Sequence, residues 1–403
     1  MTNRIYLDHS ATTYVAEEVY EAMLPFLKTS FGNPSSLHWF GRETRKSAEN
    51  AREKVANVIS AKPNEIYFTS GGTEADNTAI RGIAYANQSK GNHIITSKIE
   101  HLAVINTCQH LEKKGFKVTY LPVDEYGIID LEVLKNSITD KTILITIMHG
   151  NNEVGTIEPI EEIGKIAKEK GIYFHTDAVQ TFGKIPIDVD KMNVDLMSIS
   201  AHKIYGPKGI GALYIRKGIK IEPLLFGGHH EMNKRAGTEN VPGIIGLGKA
   251  SELAKKDIEN DIYKNIKELR DYLQKGITDK IKYVYVNGHP ERRLPNILNM
   301  CFEFIEGESI ILRLDGKGIC VSSGSACTSG SLEPSHVLLA MGIDPAISQG
   351  SVRFSLGKRN TKQEMDEVLS ILPDIIITLR EMSPFSIEMP FPEGSGPRER
   401  HKL

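Results

Sequence analysis

Short apolar segments with the composition of β-strands alternate with helical segments over the first two-thirds of the chain. The strand-like segments are residues 65–69, 93–96, 117–123, 142–148, 172–175 and 196–199. Between several of them apolar residues recur at helical spacing, as Ile160, Ile163 and Ile166 do. Short apolar strands of this kind are typical of a sheet that is buried on both faces. The alternation therefore predicts an α/β fold with a large, mostly parallel sheet covered by helices.

The pattern changes after about residue 261. A charged helix over 262–275 leads into a strand-like segment at 283–286 and then into a mixture of both types. At ~150 residues per domain, a chain of 403 residues has room for two or three domains. We expect a large domain over 15–261 and a smaller α+β domain made of 1–14 with 262–384. Three prolines interrupt residues 385–403, where we expect a flexible tail.

Composition argues against several kinds of function. The 49 basic and 51 acidic residues leave a net charge of −2, which does not favour nucleic acid. No apolar run approaches the ~18 residues of a membrane helix, and no secretory signal is evident at the start. The four cysteines are too few for a disulfide scaffold, and without a Cys-x-x-Cys pair they do not indicate structural zinc. We interpret Cys108, Cys301 and Cys320 as packing residues. We expect a cytoplasmic protein with no nucleic-acid, membrane or resident-metal partner.

A lysine, Lys203, follows the last strand of the predicted sheet, behind Ser200 and His202. Parallel sheets bind ligands beyond the carboxyl ends of their strands, so this position is informative. An isolated lysine is more often a surface charge, and the glycines that follow lack the order of a dinucleotide or P-loop motif. The chemical alternative is an amine that attacks an aldehyde, because burial and nearby cations lower the pKa of a lysine. Ser200 and His202 could then contact a phosphate.

Two further motifs favour that alternative. Asp177 ends another predicted strand, with Gln180 just beyond it. Alone, such an aspartate is usually a helix cap, but opposite a pyridine nitrogen it would keep the ring protonated and electron-withdrawing. Gly72 and Thr73 stand at a predicted helix start, which is either an ordinary cap or a phosphate cradle. An aldehyde-binding lysine, a pyridinium partner and a phosphate cradle together imply pyridoxal phosphate.

Four more residues have two interpretations each. His101 is either a structural group or a ring that stacks on a cofactor and passes protons. Asn152 is either a turn residue or a hydrogen-bond partner of cofactor or substrate. Arg353 is either a surface charge or a clamp for a carboxylate. Cys327 lies in a Ser/Gly-rich segment that should be exposed and mobile, which favours a reactive thiol over the commoner buried cysteine.

Taken in order, these motifs resemble those of the cysteine desulfurases of the NifS/IscS type. The resemblance runs from about residue 4 to about residue 379. The segments that carry it are residues 6–8, 11–13, 32–36, 70–77, 100–101, 151–155, 175–180, 200–203, 237–240 and 323–327. Residues 227–235 depart from the glycine-rich run that is usual in this family.

The resemblance implies a homodimeric pyridoxal-phosphate enzyme of fold type I, the aspartate-aminotransferase fold. It implies that Lys203 holds the cofactor, that His101 stacks on its ring and that Asp177 faces its pyridine nitrogen. Gln180 would contact the phenolic oxygen. The phosphate would be bound by Thr73, Ser200 and His202, joined by Thr238 from the partner subunit.

The resemblance also implies a reaction. Asn152 and Arg353 would hold the carboxylate of L-cysteine, which becomes L-alanine while Cys327 carries the sulfur as a persulfide. His101 would accept the thiol proton. The 323–327 segment is similar to the family branch that passes sulfur to an iron–sulfur scaffold or another acceptor protein. Whether Cys327 also ligates a nascent cluster stays open.

Two other classes of function remain as alternatives. The first is a different pyridoxal-phosphate enzyme of the same fold, an aminotransferase or a cysteine β-lyase. The second is a sulfur-carrying assembly platform with a dormant site.

Overall fold

Strands and helices alternate through the first half of the chain, as the apolar pattern predicts. The structure is a computed structural model, and it describes residues 4–323 and 334–385. Its strands are β1 (Ile5–Tyr6), β2 (Ile66–Thr69), β3 (His93–Ser97), β4 (Lys117–Leu121), β5 (Thr142–Thr146), β6 (Tyr173–Asp177), β7 (Leu196–Ser200), β8 (Gly211–Ile215), β9 (Val284–Asn287), β10 (Ile297–Phe302), β11 (Ile319–Cys320) and β12 (Ser351–Ser355). Its helices are α1 (Glu17–Lys28), α2 (Trp39–Val58), α3 (Gly72–Ala86), α4 (Leu102–Glu112), α5 (Leu131–Ser137), α6 (Ile160–Lys170), α7 (Val241–Glu259), α8 (Ile262–Lys280), α9 (Gly307–Asp315), α10 (His336–Ala340), α11 (Pro345–Gln349) and α12 (Lys362–Met382). Cys327 and the tail beyond Phe385 lie outside the described residues.

Seven strands form the central sheet, in the order β2-β8-β7-β6-β5-β3-β4. Adjacent strands from β7 through β6, β5 and β3 to β4 are parallel to one another. Strand β8 runs antiparallel to both of its neighbours, β2 and β7. Because β2 and β7 are both antiparallel to β8, they run in the same direction. The carboxyl ends of β2, β3, β5, β6 and β7 therefore meet at one edge. The order reverses between β3 and β5, which is where such sheets bind ligands. The predicted α/β class is confirmed.

Helices cover both faces of this sheet. Successive strand residues point to opposite faces, so Ile94 packs with α3 and α4 while Ile95 packs with α2, α6 and α7. Every residue of β3, β5, β7 and β8 is buried. Burying a side chain such as isoleucine contributes about 1.5–3 kcal/mol, so the two apolar layers fix the strand ends that carry polar residues.

A second core lies on a three-stranded antiparallel sheet of order β12-β10-β9, covered by α8, α9 and α12. The first strand of the chain belongs to this core, because β1 pairs in parallel with β11 and Ile5 and Leu7 pack inside it. This arrangement supports the division of the chain into 15–261 and 1–14 with 262–384, which stays a prediction. Among the described helices, none combines the length and apolar character that crossing a membrane requires.

A buried ion pair fixes the segment 227–235 against the edge of the central sheet. Both terminal nitrogens of Arg52 lie 2.8 Å from the carboxylate oxygens of Glu231, and the side chains are 6% and 4% exposed. The Phe68 N–H donates to the same carboxylate at 2.8 Å. Residues Glu231, Met232 and Asn233 have φ of 44°, 51° and 65°, a region that costs free energy for non-glycine residues. The ion pair therefore holds a strained turn.

We expect Glu231→Gln to lower the free energy of unfolding by about 3 kcal/mol, because it removes the buried counterion of Arg52 and leaves only the exposed Glu49, whose carboxylate lies 3.2 Å from Arg52 Nε. Chemical denaturation followed by circular dichroism measures this change. The control is Glu132→Gln, which removes a carboxylate from the exposed pair with Lys135 and should change little. Equal effects of the two substitutions would contradict the prediction.

Candidate active site

A cavity of ≈ 390 Å³ opens at the carboxyl edge of the central sheet. Its volume lies in the range of about 300–1,000 Å³ that is usual for small-molecule sites. The predicted site residues that line it are Gly72, Thr73, His101, Asn152, Asp177, Gln180, Ser200, His202, Lys203 and Arg353. The structure thus brings together residues that are up to 281 positions apart, from Gly72 to Arg353. Thr238 is exposed and does not line this cavity, and Cys327 lies outside the described residues.

Lys203 stands on a short 3-10 turn directly after β7. Its Nζ donates to the backbone carbonyls of Ser10 at 2.5 Å and Ala11 at 2.7 Å. These carbonyls come from the segment that follows β1, which crosses from the second core to the sheet. Thr13 Oγ1 fastens that segment by donating to the His202 carbonyl at 2.9 Å. The amine is therefore held in the cavity by main-chain oxygens.

Two buried carboxylates lie at one end of the cavity. Asp177 ends β6 and accepts a hydrogen bond from the Val179 N–H at 2.8 Å, and burial raises its pKa despite the opposing charges of His101 and Lys203. Asp76, on α3, has its pKa raised well above the usual range by burial and by Asp177. Within the described ranges, Asp76 Oδ1 has no hydrogen-bond partner. A protonated ring nitrogen would offset both carboxylates, so this end fits the pyridine of pyridoxal phosphate.

Another part of the cavity lining fits a phosphate. Gly72 begins α3, and a Cβ there would lie 2.7 Å from Val179 Cγ2, so glycine lets the helix start approach the loop after β6. Helix starts bind anions through their N–H groups. His202 Nδ1 lies 3.1 Å from Thr12 Oγ1. Burial, together with nearby lysines, lowers the pKa of His202 to about 4, a shift that a bound anion would reverse.

His101 caps the start of α4 after β3. Its Nδ1 accepts a hydrogen bond from the Ala103 N–H at 3.1 Å. Burial lowers the pKa of His101, an effect reinforced by Lys203 and opposed by Asp177. The neutral ring therefore carries its proton on Nε2, because Nδ1 is occupied as an acceptor.

Arg353 lies on β12, from the second core, and its guanidinium lines the cavity. It pairs with Asp8 at 2.8 Å and donates to the Asn152 carbonyl at 2.8 Å. Both contacts orient the guanidinium toward the cavity. They also tie the N-terminal segment and the loop after β5 to the second core.

Several lining residues were not identified as site residues from the sequence, namely Ser10, Ala11, Asp76, Met148, Gly150 and Val179. Asp76 could have been predicted, because it lies three residues after Thr73 on a predicted helix and therefore on the same helical face. Ser10 and Ala11 act through their carbonyls, which no side-chain pattern reveals.

Glu100, beside His101, provides a pH-dependent prediction. It is fully buried, its Oε1 accepts from Ser97 Oγ and the Met148 N–H, and burial raises its pKa to about 8 from 4.5. Above pH 4.5 the carboxyl ionises in the unfolded chain but stays protonated in the folded one, until the pH reaches about 8. The stability that this group contributes is therefore fully present below pH 4.5 and is lost as the pH rises to about 8. We expect Glu100→Gln, which keeps an acceptor, to gain about 4 kcal/mol of stability over the native chain between pH 5 and pH 8.5.

Thermal unfolding at pH 5 and pH 8.5 tests this prediction, with the exposed Glu161→Gln as the control. A difference between Glu100→Gln and the native chain that stays constant with pH would contradict it.

Comparisons with known proteins agree with this geometry. The family model described as aminotransferase class-V matches residues 5–368. The cysteine desulfurase IscS of Dictyoglomus turgidum is 58% identical over 388 residues, which are 96% of this chain and 98% of that protein. A solved NifS-like protein matches with a TM-score of 0.88 and 42% identity over 93% of this chain and 100% of that one.

A structure of SspA in complex with cysteine matches with a TM-score of 0.78 and 39% identity, covering 89% of this chain and 100% of that one. The family match at residues 5–368 includes every residue that lines the cavity. The chain belongs to the class-V aminotransferase family and, within it, to the cysteine desulfurases, which are pyridoxal-phosphate enzymes.

Proposed function

We propose that the protein converts L-cysteine to L-alanine and retains the sulfur as a persulfide on Cys327, from which it passes to an iron–sulfur scaffold or another acceptor. The observation that carries this proposal is one cavity that joins the Lys203 amine, the Asp177 carboxylate and the Arg353 guanidinium. The related SspA structure in complex with cysteine supports cysteine as the substrate.

The chain's own residues would hold the cofactor at four points. Lys203 would bind it through the amine, Asp177 would face the ring nitrogen, and Gln180 would donate to the phenolic oxygen. The phosphate would lie against Gly72, Thr73, Ser200 and His202. When bound, pyridoxal phosphate withdraws electrons from the substrate's Cα and so weakens the bonds that must break. Lys203 Nζ would then act as the base that takes the Cα proton.

His101 would take part in proton transfer. Its neutral ring presents an N–H donor at Nε2, while Nδ1 accepts from the Ala103 N–H. Nε2–H can therefore donate a hydrogen bond to the cofactor or the substrate. To accept the proton of the Cys327 thiol, the ring would take it up at Nδ1 in place of the contact with Ala103.

The substrate carboxylate would lie against Arg353 and Asn152. Asp8 and the Asn152 carbonyl orient the guanidinium before the substrate arrives, which reduces the loss of side-chain freedom on binding. A positively charged planar group is suited to a carboxylate because it can donate two parallel hydrogen bonds.

The sulfur step balances without an external oxidant. The Cys327 thiolate attacks the sulfur of the substrate, an S–S bond forms, the C–S bond breaks, and Cβ gains a proton as alanine leaves. The described residues on either side of Cys327 are held close to the residues that line the cavity. Ser351 Oγ donates to the Ser323 carbonyl at 3.2 Å, and Ser335 Oγ donates to Glu153 at 2.5 Å, next to Asn152.

The assembly and setting of the protein also stay proposals. Exposed apolar side chains cluster around the start of α2, where Phe31, Leu37 and Trp39 are 70%, 83% and 60% exposed, and large apolar patches mark protein interfaces. This supports a homodimer, in which the exposed Thr238 would reach the phosphate of the partner subunit. A cytoplasmic location rests on the sparse cysteines.

The test is product analysis. Purified, cofactor-loaded protein is incubated with L-cysteine and a thiol reductant, and sulfide, alanine and pyruvate are quantified. Equal amounts of sulfide and alanine are expected. Sulfide with pyruvate would instead identify a cysteine β-lyase, and no product from loaded protein would favour a dormant platform or a different substrate.

A further inference from the structure

Lys184 is a buried lysine that the proposed reaction does not use. It follows β6 by seven residues, is 5% exposed, and its Nζ donates to Gln180 Oε1 at 3.2 Å. Burial lowers its pKa to about 7, and the charged groups that add to this effect, Lys203 and Arg353, are also cations. A buried amine among cations destabilises the fold relative to an apolar side chain of the same size. Its presence therefore indicates a role.

The contact with Lys184 determines which way the Gln180 amide faces. A lysine amine has donors to offer, whereas a glutamine amide has one oxygen and one NH₂ group. The amide oxygen must therefore face Lys184. The NH₂ group then faces the opposite way and donates to the Ser10 carbonyl at 3.0 Å. A flipped amide would place donor against donor at Lys184 and oxygen against oxygen at Ser10.

The same carbonyl connects this pair to the reactive lysine. Ser10 O accepts from both Gln180 Nε2 and Lys203 Nζ. Lys184, Gln180 and Ser10 thus form a continuous chain of hydrogen bonds that ends on Lys203. Gln180 also lines the cavity, and its NH₂ group carries a second N–H besides the one that Ser10 O accepts.

We propose that Lys184 is a positioning residue for the cofactor: by fixing the Gln180 amide, it presents the NH₂ group to the phenolic oxygen and holds the carbonyl that orients Lys203. This inference rests on the proposed function, in which Lys203 binds the cofactor. The groups that face Lys184 from the surrounding segments are His9, His202, Lys203 and Arg353. A neutral amine can also accept, but the Ser10 carbonyl can only accept, so it fixes the orientation of the amide whatever their ionisation.

A double-mutant cycle tests the inference on full-length protein stripped of cofactor. The variants are Lys184→Met, Gln180→Leu and the two combined, and the matched control is Lys191→Met at an exposed lysine of the same connection. Two quantities are measured: the affinity for pyridoxal phosphate and the wavelength of the visible absorbance of the bound cofactor. We expect Lys184→Met to weaken the affinity about tenfold and to shift the absorbance, as loss of a fixed hydrogen bond would.

Because Lys184 acts through Gln180, the combined variant should bind no more weakly than Gln180→Leu alone. Additive losses, or a Lys184→Met protein that matches Lys191→Met in affinity and absorbance, would overturn the inference. If Lys184→Met does not fold, Lys184→Gln replaces it in the same cycle under the same criteria. A Lys203→Ala variant distinguishes failure of the proposed function from failure of the inference about Lys184. If Lys203→Ala keeps the native absorbance of bound cofactor, the proposed function fails, whereas a native-like Lys184→Met beside an altered Lys203→Ala overturns this inference alone.

Discussion

Replacing Lys203 with alanine is expected to abolish turnover of L-cysteine, with a loss of at least about 10⁴-fold in kcat. The amine lies in the cavity and donates to the Ser10 and Ala11 carbonyls. In the proposed reaction it serves twice, as the group that binds the cofactor and as the base at Cα. Alanine supplies neither a nucleophile nor a base. The cavity walls should remain, so the variant should bind pyridoxal phosphate non-covalently and show the absorbance of the unlinked aldehyde.

The matched control is Lys208→Ala, which removes an exposed lysine five residues further along the same loop. It should keep near-native turnover and native absorbance. Reduction with borohydride followed by peptide mass analysis locates the cofactor linkage independently. Retention of the linkage in Lys203→Ala, or turnover comparable with Lys208→Ala, would refute the role of Lys203.

Replacing Cys327 with serine is expected to stop sulfur transfer while leaving the cofactor in place. A serine hydroxyl has no thiolate form at neutral pH and cannot form a persulfide. The cofactor contacts come from other segments, so absorbance should stay native and should still change when L-cysteine is added. Sulfide and alanine should both fall to background, because the attacking thiolate is what releases alanine.

Cys320→Ser is the control for this substitution. Cys320 is half-buried on β11, outside the cavity, and its replacement should leave sulfide release near the native rate. Mass spectrometry of the native protein after a single turnover should show 32 Da added on the peptide that contains Cys327, the mass of one sulfur atom, as about one atom per thiol. Sulfide release at the native rate from Cys327→Ser would exclude the persulfide route.

Much of the fold and of the cavity could be predicted because both depend on local patterns. Short apolar runs locate β3, β5, β6 and β7, and the residues just after parallel strands must meet at one edge. That rule alone brings His101, Asn152, Asp177 and Lys203 together. The strand β8 was missed because it runs antiparallel to β7. No helix connects the two strands, so the regular alternation of strand and helix does not indicate β8.

The remaining features depend on contacts between distant parts of the chain. Asp8 pairs with Arg353, and Arg52 pairs with Glu231, across separations that no sequence spacing encodes. Arg353 could be identified as a carboxylate clamp, but its ion pair with Asp8 could not. Lys184 was likewise not singled out, because only burial distinguishes it from a surface lysine.

The route of the N-terminal segment has a consequence for the timing of biosynthesis. The Ser10 and Ala11 carbonyls that accept from Lys203 follow β1, which pairs with β11. Ser355 Oγ also holds this segment by accepting from the Ser10 N–H at 2.9 Å. Both partners are made after every strand of the central sheet. A nascent chain that has completed the central sheet therefore still lacks the contacts that hold these carbonyls against Lys203. Cofactor capture should follow synthesis of β12 rather than completion of the central sheet.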